Sequence, residues 1–138
     1  MIFQEEISLT PFTRGFHLIT DQISKVILSS GIQTGTAQVF VLHTSASLSI
    51  NENTDPSVRL DFESHLNELV PENQAYFQHN YEGSDDMPAH IKASLLGAAL
   101  SVDIEKMNHR NQPISNRLSP FISSTSTYNI NNEKDINS

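Results

Sequence analysis

Two adjoining runs, Ala37-Gln-Val-Phe-Val-Leu42 and Ser45-Ala-Ser-Leu-Ser-Ile50, carry the clearest information about the fold. The first is β-branched and aromatic, which suits a pleated surface. In the second, Ala46, Leu48 and Ile50 alternate with Ser45, Ser47 and Ser49, a period that gives one apolar and one wet strand face. A parallel crossover needs a dozen or more residues, so the short link through His43 and Thr44 favours antiparallel pairing or one bent strand.

Upstream, Ile7 and Leu9 alternate with polar neighbours until Pro11, which reads as a first strand over Ile2 to Thr10. Gly15 to Ile19 lead into a helix capped by Asp21, with Ile23, Val26 and Ile27 on one face and Gly31 as its stop. Downstream, Asp55-Pro56 starts a helix, because the carboxylate can cap free N–H groups where proline lacks one anyway. Val58, Phe62, Leu66 and Leu69 follow at helical spacing up to Pro71. A polar loop from Glu72 to Asp86 precedes a short helix opened by Met87-Pro88 and ended by Gly97, and Leu100, Val102 and Ile104 alternate as a further strand. Local pattern therefore predicts an α+β fold with a mainly antiparallel sheet.

The chain has 138 residues and 37% apolar composition, enough for one domain with one core. The apolar deficit is concentrated after Glu105, where Asn and Ser dominate and Ile and Phe have no period. Residues 1–104 are thus expected as the domain and 105–138 as an atypical, poorly ordered tail, with a weak edge strand over Phe121 to Ile130 as an option. Eight Lys plus Arg against sixteen Asp plus Glu give a net charge of −8, which disfavours a nucleic-acid backbone or an anionic membrane as partner. No long apolar run or signal-like N-terminus is present, and without cysteine there is no thiolate metal site. A cytoplasmic location is the resulting expectation.

Three polar clusters can carry chemistry. One runs from His43, Thr44 and Ser45 to Asn51, Glu52, Asn53 and Asp55; a strand-end imidazole with hydroxyl donors suits a metal or an anion. A second, His79 to Asp86, contains adjacent carboxylates whose repulsion a cation would relieve. The third, Met87 to Ser94, joins helix N–H groups to His90 and Lys92 and suits a phosphate. Each cluster also has a purely structural reading: a hydrogen-bonded histidine, solvated loop carboxylates, a capped helix. His43, His79 and His90 with nearby carboxylates suffice for a nitrogen and oxygen site for zinc, manganese or magnesium. No HExxH, Walker A loop or dinucleotide glycine fingerprint occurs.

The strings His43-Thr-Ser-Ala-Ser-Leu-Ser-Ile-Asn-Glu-Asn53, Asp55-Pro56 with Asp61, and Tyr81-Glu-Gly-Ser-Asp-Asp-Met-Pro-Ala-His-Ile-Lys-Ala-Ser-Leu-Leu-Gly97 resemble the uncharacterised protein family 0047, the YjbQ family. Arg14-Gly-Phe-His-Leu-Ile-Thr-Asp21 and Gly35 fit the same pattern. The resemblance implies a compact α+β sandwich assembled as a homotrimer and a weak thiamine-phosphate synthase activity. That reaction joins hydroxymethylpyrimidine diphosphate to thiazole phosphate and releases pyrophosphate. It also implies a divalent metal held by His43, His79, His90 and Asp85, with His43, Glu52 and Asp86 as catalytic groups. Thr44, Ser45, Asn51, Lys92 and Ser94 would then contact a phosphorylated small molecule. A metal-dependent phosphoester hydrolase and a non-catalytic binding or structural oligomer remain the alternatives.

After Ile104 the resemblance stops. Relatives continue through an Asn-Gly turn, a Gly-Thr-Trp-Gln segment and two further strands, whereas this chain reads Glu105-Lys-Met-Asn-His-Arg-Asn-Gln-Pro-Ile-Ser and has no tryptophan. An altered reading frame or a divergent tail accounts for the break. Either predicts missing or altered C-terminal strands, poorer folding and impaired catalysis.

Overall fold

The computed structural model describes residues 2–104 and 119–124. In chain order the elements are β1 (Gly15–Leu18), α1 (Thr20–Ser29), β2 (Gly35–Phe40), β3 (Ala46–Asn51), α2 (Ser57–Leu69), α3 (Asp86–Leu96), β4 (Ala99–Ile104) and β5 (Ser119–Ser124). Each strand pair among the described residues is antiparallel, in a three-stranded sheet ordered β1-β5-β3 and a two-stranded sheet of β2 and β4. The fold is α+β with short helices.

The run that suggested antiparallel pairing hides a change of sheet. β2 pairs with β4, from Gly35↔Ile104 to Phe40↔Ala99, while β3 pairs with β5. His43, Thr44 and Ser45 therefore form a corner between two sheets, not a hairpin turn. The corner is pinned beyond the ladders: Val41 N–H donates to the Ala98 carbonyl at 2.8 Å and Leu48 N–H to the Gly97 carbonyl at 3.0 Å. These bonds satisfy backbone groups that the change of sheet would otherwise strand.

The serine face of β3 is not wet either. Ala46 and Leu48 join Ile19 and Ile23 in the core, with Ile7, Leu9, Phe12, Ile27, Val39, Val41 and Leu100 packed around them. Ser45 and Ser47 are also buried, because α3 lies against β3. Ala89 and Ala93 on α3 are small enough for that close approach and are themselves buried. Over Ile2 to Thr10, where a strand is expected, Ile7 and Leu9 alternate in burial with their neighbours, but the segment joins no ladder among the described residues. Alternation there reflects packing of Ile7 and Leu9 on the core.

α1 begins one residue before its expected cap. Ile19 holds the N-cap position, and Asp21 sits in the first turn, where its charge complements the helix dipole. Pro56 holds the N-cap position of α2, and Asp55 before it accepts from the Ser57 N–H at 2.8 Å through Oδ1; the Ser57 hydroxyl, followed by this backbone bond, holds the Asp55 carboxyl below the usual range. Along α2, Leu66 is buried, Val58 and Phe62 are half-buried and Leu69 is exposed. Phe62 meets Phe16 of β1 edge to face at 5.8 Å, docking the helix on the first strand.

β5 corrects the expectation of an edge strand over Phe121 to Ile130. It starts earlier, at Ser119, and lies centrally between β1 and β3; residues 125–130 fall outside the described residues. Pro120 is tolerated there because it pairs opposite Ile50 of β3 just past Leu18, the last paired residue of β1. With a neighbour on one side only, its missing N–H disturbs little.

Candidate metal centre

α3 builds the site from its first turn. Asp86 opens the helix and His90 stands one turn later on the same face. Pro88 does not disturb this spacing, since a first-turn residue needs no intrahelical N–H bond. The chain enters α3 through Gly83, whose φ of +130° strains any residue that carries a side chain. The loop between α2 and α3 brings in His79.

His79 Nε2 lies 2.7 Å, and His90 Nε2 3.4 Å, from Asp86 Oδ2. The two rings are 5.5 Å apart between centroids, inclined at 60°. One ligand atom from each of the three residues lies within 4.8 Å of the other two. Asp86 is 2% exposed, and its Oδ2 accepts no hydrogen bond from the described residues despite the short His79 distance. A buried carboxylate oxygen in that position is costly unless something cationic completes it.

His90 is oriented for such a role. Its Nδ1 lies 3.1 Å from the Thr44 carbonyl, which can only accept, so Nδ1 carries the ring proton in the neutral state. Nε2 is left with a lone pair directed towards Asp86. A carbonyl behind a ligating imidazole is the usual arrangement at protein metal sites.

Of the residues expected at the site, His79, Asp86 and His90 come together, and Thr44 supports them through its backbone. His43 is outside this trio: its Nδ1 lies 3.0 Å from the Ser45 backbone nitrogen and 3.2 Å from Ser45 Oγ. It remains near enough for His90 and Asp86 to act on its charge. Burial, followed by electrostatic interaction with His90, lowers its pKa, with Asp86 opposing. Asp85 also lies outside the trio and acts on Lys92 instead. Glu52 is exposed at the end of β3, and Asn51 Oδ1 accepts from its N–H at 2.8 Å. Ser94 Oγ donates to the His90 carbonyl at 2.9 Å, along its own helix.

A family model described as "UPF0047 protein YjbQ-like" matches residues 5–111. The chain belongs to the YjbQ family. It is 50% identical over 107 residues to the UPF0047 protein YjbQ of Salmonella typhimurium, covering 77% of each chain. It is 44% identical over the same length to the UPF0047 protein YjbQ of Escherichia coli O157:H7, again covering 77% of each. Among solved structures, a YjbQ/UPF0047 protein of Clostridium acetobutylicum superposes with a TM-score of 0.67 at 32% identity, covering 82% of this chain and 83% of that one. A conserved hypothetical protein of Thermus thermophilus gives 0.72 at 29% identity, covering 87% and 88%.

Lys92, expected as a contact for a phosphorylated ligand, belongs to a second polar group of this YjbQ-family chain, whose other members the sequence did not reveal. Lys92 is 1% exposed and faces α2 and β1, away from the imidazoles. Its Nζ donates to Asn67 Oδ1 at 2.6 Å, and Arg14 donates to the same oxygen at 2.8 Å. Arg14 also pairs with Glu72, whose other carboxylate oxygen accepts from Ser84 at 3.0 Å. Glu72 and Ser84 thereby close the neck of the loop that carries His79. Burial and then Arg14 depress the Lys92 pKa, while Glu72, Glu63 and Asp85 oppose the shift.

This network sets an acid limit on stability. The Arg14 and Ser84 hydrogen bonds hold the Glu72 carboxyl below its usual 4.5. Its folded-state pKa is therefore depressed, so its contribution is full above the unfolded value and is lost as pH falls through the folded one. The unfolding midpoint should drop on acidification below about pH 4.5, and less steeply in Glu72→Gln. Thermal scans across that window check this; identical slopes for the two proteins would remove Glu72 as the cause.

Proposed function

We propose that this chain is a metal-dependent transferase acting on a phosphorylated small molecule, with thiamine-phosphate synthase chemistry as its reaction. The observation that carries the reading is the buried, uncompleted Oδ2 of Asp86 facing two imidazole nitrogens. Two nitrogens and one oxygen suit zinc or manganese better than magnesium, which prefers oxygen and water. Three protein ligands also leave room for a substrate oxygen, as at catalytic rather than structural zinc sites. A bound divalent ion would supply positive charge against a departing pyrophosphate.

The chain's own groups do the rest. His79, Asp86 and His90 hold the centre, and the Thr44 carbonyl keeps His90 in its ligating tautomer. Capture of the pyrimidine-methyl carbon by the thiazole nitrogen needs alignment of two substrates and no covalent enzyme nucleophile. The alternative, phosphoester hydrolysis, rests on the same open ligand set, which can also take a water. Incubation with both synthase substrates and zinc or manganese, measuring condensed product and pyrophosphate, separates the two. Condensed product formed with equimolar pyrophosphate supports the transferase; phosphate released from a simple phosphoester with no condensation supports the hydrolase; binding without turnover removes both.

We also propose assembly as a homotrimer. Phe40 and Leu42 are exposed beside His43, a costly position for large apolar side chains unless another surface covers them. Sedimentation equilibrium should give three times the monomer mass; a monomer at all concentrations would remove this part of the reading. Among the described residues no helix is long and apolar enough to cross a membrane.

A further inference from the structure

The corner between β2 and β3 presents opposite backbone groups to two histidines. The Thr44 carbonyl faces His90 Nδ1 at 3.1 Å, and the next backbone group along, the Ser45 N–H, points at His43 Nδ1 at 3.0 Å. A carbonyl can only accept and an amide N–H can only donate, so the two rings are set in opposite tautomers. His90 carries its proton on Nδ1 and has a lone pair on Nε2. His43 must keep Nδ1 unprotonated, so its single proton sits on Nε2. The Ser45 hydroxyl, 3.2 Å from the same Nδ1, can donate there as well.

From this we infer that His43 does not ligate the metal but donates its Nε2–H to a phosphoryl oxygen of the ligand held at the centre. The inference rests on the metal-centre reading and deepens it. Ligation through Nε2 would require moving the proton to Nδ1, where it would face the Ser45 N–H and break that hydrogen bond. Ser45 is buried and leads directly into β3, so the corner cannot readily turn its N–H away. His43 adjoins Thr44, whose carbonyl meets His90 at 3.1 Å, so the corner carries a neutral donor next to the ligand set. A neutral donor suits a phosphoryl oxygen that shares its charge with a metal, because it adds a hydrogen bond without competing as a cation.

Long-range proton–nitrogen NMR of the full-length, nitrogen-15-labelled protein tests the assignment, first without metal, then with zinc alone, then with zinc and inorganic phosphate. The expected result is a protonated Nε2 on His43 and a protonated Nδ1 on His90 before metal is added. Zinc then shifts Nε2 of His79 and His90 and leaves the His43 nitrogens in place, while phosphate moves the His43 Nε2 proton. In calorimetry, His43→Ala should keep zinc affinity within about twofold and weaken phosphate binding to the zinc-loaded protein by about tenfold or more. His43→Gln, which keeps a side-chain N–H, should recover part of the phosphate affinity. A His43 protonated on Nδ1, a zinc shift on His43 matching that of His90, or an equal loss of zinc affinity in His43→Ala and His90→Ala would overturn the inference. Absence of any zinc shift on His79 and His90 would instead overturn the metal reading, and this role for His43 with it.

Discussion

Asp86→Asn is expected to make the metal-free protein more stable while abolishing its response to metal. The wild-type side chain is buried, and its Oδ2 accepts no hydrogen bond among the described residues. Leaving a buried polar group unsatisfied costs about 1–3 kcal/mol, more when it is charged. The near-isosteric amide removes the charge without opening a cavity, so the metal-free variant should gain about 1–3 kcal/mol, a rise of several degrees in unfolding midpoint. The same change removes the anionic ligand and should weaken zinc binding by more than about 100-fold, beyond the usual effect of losing an outer-shell partner. For the wild type, zinc at about 100 times its dissociation constant adds about 2.7 kcal/mol. Thermal scans of both proteins near pH 8, with and without zinc, read the two effects together. A variant that is less stable without zinc, or that keeps the wild-type zinc shift, would show that Asp86 is an ordinary structural carboxylate.

Truncation after Ile104 is expected to destroy cooperative folding, even though the sequence resemblance is strongest up to that residue. β5 is the middle strand of its sheet, pairing with β1 from Gly15↔Ser124 to Leu18↔Phe121 and with β3 from Ala46↔Ser124 to Asn51↔Ser119. Its removal leaves the facing backbone edges of both strands unpaired and separates β1 from the rest of the sheet. β3 carries Ala46 and Leu48 of the core and follows directly on the Thr44 carbonyl that orients His90. The shortened chain should lose its sigmoidal thermal transition and bind hydrophobic dye at room temperature. A truncated protein that unfolds cooperatively near the full-length midpoint would mean that residues 1–104 fold alone and that β5 is dispensable.

The helices were legible because their signals are local. Asp55-Pro56 marks the start of α2 and Met87-Pro88 that of α3 to within one residue, whereas the placing of Asp86 and His90 on one turn across Pro88 came only from the structure. The strands were less legible because alternation reports burial rather than partners. Ile7 and Leu9 alternate without a ladder among the described residues, and Ser45 and Ser47 alternate with apolar residues yet are covered by α3. The link between β2 and β3 is short enough for a hairpin, and only tertiary structure shows that it crosses between sheets. β5 carries almost no periodic signal in Ser-Pro-Phe-Ile-Ser-Ser, so its central place follows from the open edges of β1 and β3. In the site, residue types and the family resemblance pointed to His43, His79, His90 and Asp85 as ligands and to Asp86 as a catalytic group, whereas the geometry sets Asp86 with His79 and His90. Residue type could not tell a ligating imidazole from a donating one; that depends on whether a carbonyl or an N–H stands behind the ring. The Arg14–Asn67–Lys92 group was invisible for another reason, since Arg14 and Asn67 are 53 positions apart and nothing local links them.

Anomalous diffraction from zinc-soaked crystals tests whether His79, Asp86 and His90 form a metal centre. A peak is expected at zinc ligand distances, about 2.0–2.2 Å, from His79 Nε2, Asp86 Oδ2 and His90 Nε2, with His43 Nε2 outside that shell. A zinc-replete crystal with no peak there, or with zinc bound only at other residues, would contradict it.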